Sequence, residues 1–600
     1  MLLGRLARSV AALILACLGL SSDGPSLTPP ERGPAQTPEL ASRRRKPVAL
    51  ALVDEGRILY VANSVGGSIS VIDAGARRVV AEHEIGGSPS DLVAMPDGRR
   101  LLATDEAGSQ LLLLERRAND LAVRQRVAVA HGPVSIRVSR DGELASVASL
   151  WSRRLTIVRT STVQEQARNP ILAVAGTIDL PFAPRHQLLI DRTGKLIVAD
   201  AFGGNLAVVD LRRRTLDSVR RLPAHNIGGL ALDADGGRVL VTHQFLNHLA
   251  HTTADDIHWG FLLTNSVRSL RLTDLLDPAA DLTPGSRLVH LGEPGAGAGD
   301  PAGLAVLAGD RVVVALAGVG QLTLGPVRDP AAWRIAAGRR PTAVATSPDG
   351  SRAYVADSLG DSVVVIDLRS ESRIATIPLG PRPEPGLVER GERLFYDARL
   401  SHEGWLSCHS CHTDGHTNNL RADTLGDGSF GAPKRTPSLL GLAPTAPYGW
   451  DGGVGTLEEQ VRKSLKTTML GQPPSDESVA ALSAYLGSLS PPRPPLDTSA
   501  GADGAAIDRG RSAFRRLHCA SCHRPPAYTS TREYDVGLAD ESGRTRFNPP
   551  PLLGVSQRDA YLHDGRARTL AEAITLHAPT GDAGLSDCDV ADLVAFLRCL

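Results

Sequence analysis

The sequence predicts a multidomain chain, an all-β seven-bladed propeller followed by two mostly α-helical domains, and three observations predict it. The first is a repeat. Pro47–Gly86 aligns without a gap with Pro341–Gly380, so that YVANSVGGSISVID (60–73) matches YVADSLGDSVVVID (354–367). The second is a series of turn glycines, Gly56, Gly98, Gly142, Gly194, Gly236, Gly309 and Gly350, at intervals of 42, 44, 52, 42, 73 and 41 residues. The third is a pair of C-x-x-C-H motifs that start 111 residues apart, inside a region that duplicates itself.

Six hundred residues suffice for about three or four folded units. With 42% hydrophobic and 22% charged residues the composition is globular. Lys plus Arg and Asp plus Glu both total 65, so no basic field is available to hold nucleic acid. Seven cysteines are too few for a disulfide scaffold, and none lies between residues 18 and 407.

The chain opens with Arg5 and Arg8 before a short apolar run, a signal segment over 1–20 that falls short of the roughly 20 apolar residues a membrane span needs. Ile14-Leu15-Ala16-Cys17 resembles a lipobox, and both acylation of Cys17 and simple cleavage nearby remain open. Residues 21–46, rich in Pro, Ser and charge, read as a disordered linker, with Arg43-Arg44-Arg45-Lys46 as solvated charge. The expected location is the bacterial periplasm or cell surface, with membrane contact only through an N-terminal lipid anchor.

Over 47–382 each repeat holds β-branched runs separated by Gly/Asp turns, one four-stranded blade per unit. The Y-V-A-N and S-V-x-V-I-D phrases resemble the YVTN family of seven-bladed propellers. The 73-residue unit contains an insertion (242–265) with His243, His248, His251, His258, Asp255 and Asp256. It reads as a metal or substrate site at the propeller mouth, as a loop contacting the other domain, or as a polar insertion bonded locally. Fold alone assigns no ligand to a propeller.

Cys408-x-x-Cys411-His412 and Cys519-x-x-Cys522-His523 carry the attachment signature of c-type haem: two thiols at i and i+3 for the vinyl groups, then an imidazole for the iron. Composition alone would produce roughly 0.002 such motifs by chance. A structural zinc site is the alternative, though zinc ribbons space their cysteine pairs about 15–20 residues apart. RTPSLLGL (435–442) matches NPPPLLGV (548–555), and TLEEQV (456–461) matches TLAEAI (569–574), both at an offset of 113. These matches predict two cytochrome c-like domains, 386–497 and 498–600. Cys588 and Cys599, eleven residues apart on one predicted helix, would be separated by about 16 Å of rise, too far for a disulfide.

GERLFYDARLSHEGWLSCHSCH (391–412), RTPSLL, Trp450-Asp451-Gly452, the second C-x-x-C-H and the final HDG and DLVAFL elements resemble the di-haem cytochrome c peroxidase / MauG family over about 386–600. The resemblance implies two covalent haems with His412 and His523 as proximal ligands, Trp450 coupling them, and Gln460 as a catalytic-site residue. The family's distal ligand to the second haem falls on His577, where peroxidases usually have Met. Histidine there implies a lower potential. In the first domain the family's distal histidine position is Gly428. Met469 follows His412 by 57 residues, close to the 54 between His523 and His577, and is the candidate sixth ligand or else a packing residue. His416 lies too near His412 to reach the distal side. Thr468 occupies the place of the catalytic acid and cannot replace a carboxylate as proton carrier. Arg435 and Arg558 stand where calcium ligands are expected, so calcium is not expected. The implied function is an exported di-haem oxidoreductase that exchanges electrons with a small redox protein or another donor or acceptor, with peroxide as candidate substrate. The alternatives are a non-catalytic electron-transfer protein whose propeller docks a partner, and substrate chemistry on a propeller ligand with the haems as acceptors.

Overall fold

A computed structural model describes residues 40–117, 120–160, 172–495, 504–577 and 584–600. The signal segment, Cys17 and most of the linker lie outside the described residues.

From Pro47 to Pro378 the chain forms seven four-stranded antiparallel sheets, each made of four consecutive strands. The first strand of every sheet packs beside the first strand of the next, and Pro341–Thr346 returns to Pro47–Val53, closing a seven-bladed ring. Second and third strands are apolar on both faces, as in Leu59–Ala62 and Ile69–Ile72, because each blade is covered by a neighbour on either side. The core is accordingly a set of seven interblade layers, such as the one joining Tyr60 and Val71 to Leu101 and Leu112. All seven turn glycines join a first strand to a second, with φ between 65° and 89°, a conformation that a β-carbon resists. The first strand begins on proline in six blades (Pro47, Pro89, Pro133, Pro184, Pro301, Pro341), where the missing N–H is harmless, and on His225 in the fifth.

One expectation is corrected. The tetrad Arg43–Lys46 is not solvated linker but a latch. Arg45 is fully buried: its guanidinium pairs with Glu82 (2.8 Å) and donates to the Pro381 carbonyl (2.9 Å). Arg43 also pairs with Glu82, while Arg44 and Lys46 meet Glu392 of the helical region. Composition counts charge but cannot see that carboxylates far along the chain await it.

The fifth blade carries the insertion on a long hairpin, Arg238–Leu246 paired with Leu263–Arg271, with a short helix Ala254–His258 capped by Thr253. The C-terminal region is mainly helical and repeats its plan. Helix Leu387–Phe395 crosses Asp476–Ser488 at Gly391, where a β-carbon would lie 1.9 Å from the Ala481 carbonyl oxygen. Helix Gly504–Arg516 crosses Asp587–Leu597 at Gly510, with the same 1.9 Å to Asp592. Thr456 and Thr569 cap the matching helices Leu457–Lys463 and Leu570–Leu576. Cys599 falls beyond the end of helix Asp587–Leu597, so it does not share that helix with Cys588 as expected; both thiols are free. Among the described residues, no helix is long and apolar enough to cross a membrane.

Candidate functional site

Cys408–Cys411 forms one helical turn, at whose start Ser407 N–H donates to Ser410 Oγ (2.9 Å). His412 follows as its cap, and its Nδ1–H donates to the Pro437 carbonyl (2.9 Å). The second turn, Cys519–Ser521, leads into Cys522 and His523, whose Nδ1–H donates to the Tyr528 carbonyl (3.0 Å). Burial pushes both imidazoles down to about 4, so they are neutral and able to ligate at pH 7. Burial also pushes the Cys408 and Cys411 thiols up to about 12. Neither trio of two cysteines and a histidine draws its donor atoms together as zinc requires; among the described residues, the cluster that does is elsewhere. Thiols one helical turn apart, followed directly by a neutral imidazole, suit a covalent haem instead.

In the second half His577 stands at the end of helix Leu570–Leu576. Its Nδ1 is turned back to the Ala573 carbonyl, and its ring faces that of His523 at 6.4 Å between centroids and 87° between planes. Two imidazoles on opposite sides of one metal ion, each bonded at about 2 Å with the ring centre about 1 Å further out, would stand about 6 Å apart. The residues therefore fit a doubly ligated haem iron.

Among the described residues, no second imidazole faces His412 as His577 faces His523. His416 is fully buried with both nitrogens engaged, Nδ1 with Ser438 Oγ (2.9 Å) and Nε2 with the Gln557 carbonyl (3.2 Å). Gly428 lies exposed in a left-handed turn. Met469 is buried in the apolar cluster against which Cys408 and Cys411 pack. It directly follows the π-helical turn Ser464–Thr468, and the Gln460 amide donates to Ser464 Oγ (3.1 Å) within the same segment.

The seam between the halves is built on Trp450. Its indole N–H donates to the Arg435 carbonyl (2.8 Å) and its own carbonyl accepts from Asn548 N–H (2.8 Å). The ring lies edge-on to His563 at 6.5 Å, and His563 stacks on Phe547 at 4.0 Å. Arg435 and Arg558 are both buried here with no carboxylate in their hydrogen bonds, and burial with mutual repulsion lowers Arg435 to about 9. Two guanidinium groups supply no oxygen ligand for a cation.

Sequence reasoning missed how the first C-x-x-C-H turn is held. Asp300 of the propeller accepts from Ser407 Oγ (2.5 Å) and Ser410 Oγ (2.6 Å), and His225 Nε2–H donates to the Ser410 carbonyl (3.0 Å). His225 is the residue that breaks the proline rule of the first strands, and Asp300 immediately precedes Pro301; that irregularity was the available signal. Beside them Asp414 pairs with Arg185 (2.5 Å) and accepts from Tyr396 OH (3.1 Å), while the Arg340 guanidinium lies over the Tyr396 ring at 3.6 Å. Burial opposes the Asp414 charge, yet Arg185, His409 and Arg340 hold its carboxyl well below the usual range. The insertion joins the contact: His251 pairs with Asp423 (3.2 Å) and His258 with Glu403 (2.9 Å). Gln557 of the second half donates to the Trp151 carbonyl (2.7 Å), and His416 of the first half packs edge-on against both Trp151 and Phe202.

A propeller bearing a duplicated helical region with two such turns defines a haem-binding redox class. Residues 385–488 match the family described as di-haem cytochrome c peroxidase, and this part of the chain is a segment of the di-haem cytochrome c peroxidase/MauG family. The chain is 27% identical over 319 residues to the methylamine utilization protein MauG of Methylorubrum extorquens, covering 42% of this chain and 90% of that protein. It is 26% identical over 269 residues to cytochrome c551 peroxidase of Pseudomonas aeruginosa, covering 35% and 78%. Among solved structures it is similar to Kuenenia stuttgartiensis hydrazine synthase, with a TM-score of 0.46 and 19% identity over 56% of this chain and 99% of that one. Membership of the segment in this family implies c-type haems and a di-haem redox protein.

Proposed function

We propose that the chain is an exported di-haem c-type cytochrome oxidoreductase that moves electrons between a haem on Cys408, Cys411 and His412 and one on Cys519, Cys522 and His523. The observation that carries the reading is the pair of anchored imidazoles, His412 on Pro437 and His523 on Tyr528, each following a turn with two free thiols. When bound, the haems would supply two one-electron redox couples. The carbonyls of Pro437 and Tyr528 fix tautomer and ring orientation, so that Nε2 of each imidazole would be the atom to hold the iron. His577 offers the second half a further imidazole, which suits storage and transfer of an electron rather than substrate binding. In the first half Met469 either supplies a sixth ligand or leaves the distal face open to peroxide. Trp450, fixed between Arg435 of the first half and Asn548 of the second, bridges the two halves through its indole ring and carbonyl, and this supports it as the coupling residue. Gln460 shares the helix Leu457–Lys463 with Val461 of the apolar cluster that holds Met469, while Thr468 cannot carry the proton that O–O cleavage requires. Arg435 and Arg558 favour a seam without calcium.

A non-catalytic electron-transfer role is favoured by Thr468 and by the clamp of Asp300 and His225, which buries the first turn against the propeller. A spectroscopic redox titration of the haem-loaded protein, followed by peroxide addition with a reduced small cytochrome, separates the two. The enzyme reading expects a high-spin first haem in at least one redox state and peroxide turnover. Low-spin haems in every state with inert peroxide sink it.

A further inference from the structure

Outside the haem sites, three donor groups converge where the insertion meets the chain leading into the first C-x-x-C-H turn. His258 ends the helix Ala254–His258 and places Nδ1 2.9 Å from both carboxylate oxygens of Glu403. His402 Nε2 lies 3.7 Å from Glu403 Oε1, and one ligand atom from each of the three falls within 4.8 Å of the others. A metal ion with bonds of about 2.0–2.1 Å holds its donors about 3–4 Å apart, so only small side-chain movements are needed.

Three further features suit a metal. Glu403 has φ of 55°, in the left-handed region that a glutamate avoids, and Gly404 follows at 77°. This backbone turns the carboxylate back toward His402 and across to His258. Gly295 N–H donates to Glu403 Oε2 (2.9 Å), the outer support that ligating carboxylates commonly have. The ion-pair partners of Glu403 are the two histidines, with neither lysine nor arginine among them. All three residues are partly exposed, so an ion can enter from solvent.

We propose that His258, His402 and Glu403 form a binding site for a divalent transition-metal ion of the zinc class, bridging the propeller and the first haem region. Two imidazoles and one carboxylate are the donor set that zinc accepts while leaving a position for water. The ion pins the insertion to the loop whose His402 N–H donates to the Met469 carbonyl (2.8 Å). This assignment is independent of the haem chemistry above.

The test uses the full haem-loaded chain, stripped with a chelator, dialysed against zinc and assayed for metals. The expected result is about one zinc for every two irons. His402→Ala and His258→Asn should each weaken zinc binding at least about tenfold, with far-UV circular dichroism and the haem spectrum unchanged. His248→Ala, an exposed histidine on the same insertion, should retain zinc. If His402→Ala fails to fold, His258→Asn carries the test alone. Absence of retained zinc, equal retention in the site variants, or loss in His248→Ala overturns the proposal.

Discussion

Asp300 of the propeller accepts a 2.6 Å hydrogen bond from Ser410, one of the two residues between the cysteines of the first C-x-x-C-H turn. A carboxylate is thus built into the immediate surroundings of the first site by a blade, not by the helical region itself. Asp300→Asn should lower stability by about 1.5–3 kcal/mol through loss of charge-assisted bonds. It should also raise the reduction potential of the first haem while the second stays unchanged, because a nearby negative charge favours the oxidised iron. Potentiometric titration resolves the two.

His577→Ala should convert the second haem from low-spin to high-spin and let added imidazole restore the original spectrum. Thermal stability should change little. A spectrum indifferent to the substitution would remove His577 from the ligand set.

Trp450→Phe keeps an aromatic ring but removes the indole N–H that satisfies the Arg435 carbonyl. The expected outcome is a loss of about 1–3 kcal/mol. Electron transfer between the haems should slow, read by flash reduction of one haem and the arrival of the electron at the other. Equal rates in both proteins would leave Trp450 a packing residue.

Acid should weaken the fold before its carboxylates protonate. Burial pushes His243 and His416 down to about 3 from an ordinary value near 6.5, helped by Arg268 beside His243 and by Arg558, Arg153 and Arg435 around His416. Their folded values lie below the unfolded ones, so the unfolded chain takes up the proton first as pH falls. Stability is therefore complete above pH 6.5 and declines toward pH 3, by about 1.4 kcal/mol per imidazole for each pH unit. Denaturant unfolding at pH 7 and pH 5 measures this, and His416→Gln should reduce the difference.

Arg45→Ala leaves Glu82 with Arg43 as its remaining ion-pair partner and should cost about 1–3 kcal/mol. Arg45→Lys should recover only part, because a single ammonium cannot reach Glu82 and the Pro381 carbonyl together. Melting temperatures of the three proteins order the effect.

The propeller was legible because its determinants are local: a glycine whose φ must be positive, β-branched runs between turns, and a near-constant period. The helical region was legible through its duplicated motifs and its N-cap threonines, Thr456 and Thr569. What stayed hidden depends on partners far along the chain. Ser410 meets Asp300 across 110 residues and His225 across 185, and Arg45 reaches Pro381 across 336. No pattern within a short window reports such pairings. The histidines of the insertion were visible as a cluster, yet only the folded chain brings His258 to Glu403.

The latch at Arg43–Lys46 also dictates an order of assembly. Each blade is contiguous and can form as soon as its four strands have been synthesised, but among the described residues no strand is borrowed from the far end of the ring to seal it. Sealing waits for Pro381, and Arg44 and Lys46 wait further for Glu392 on the first helix of the redox region. The earliest folded residues of the chain therefore finish their contacts among the last, and completion of the ring and arrival of the helical region become a single late event.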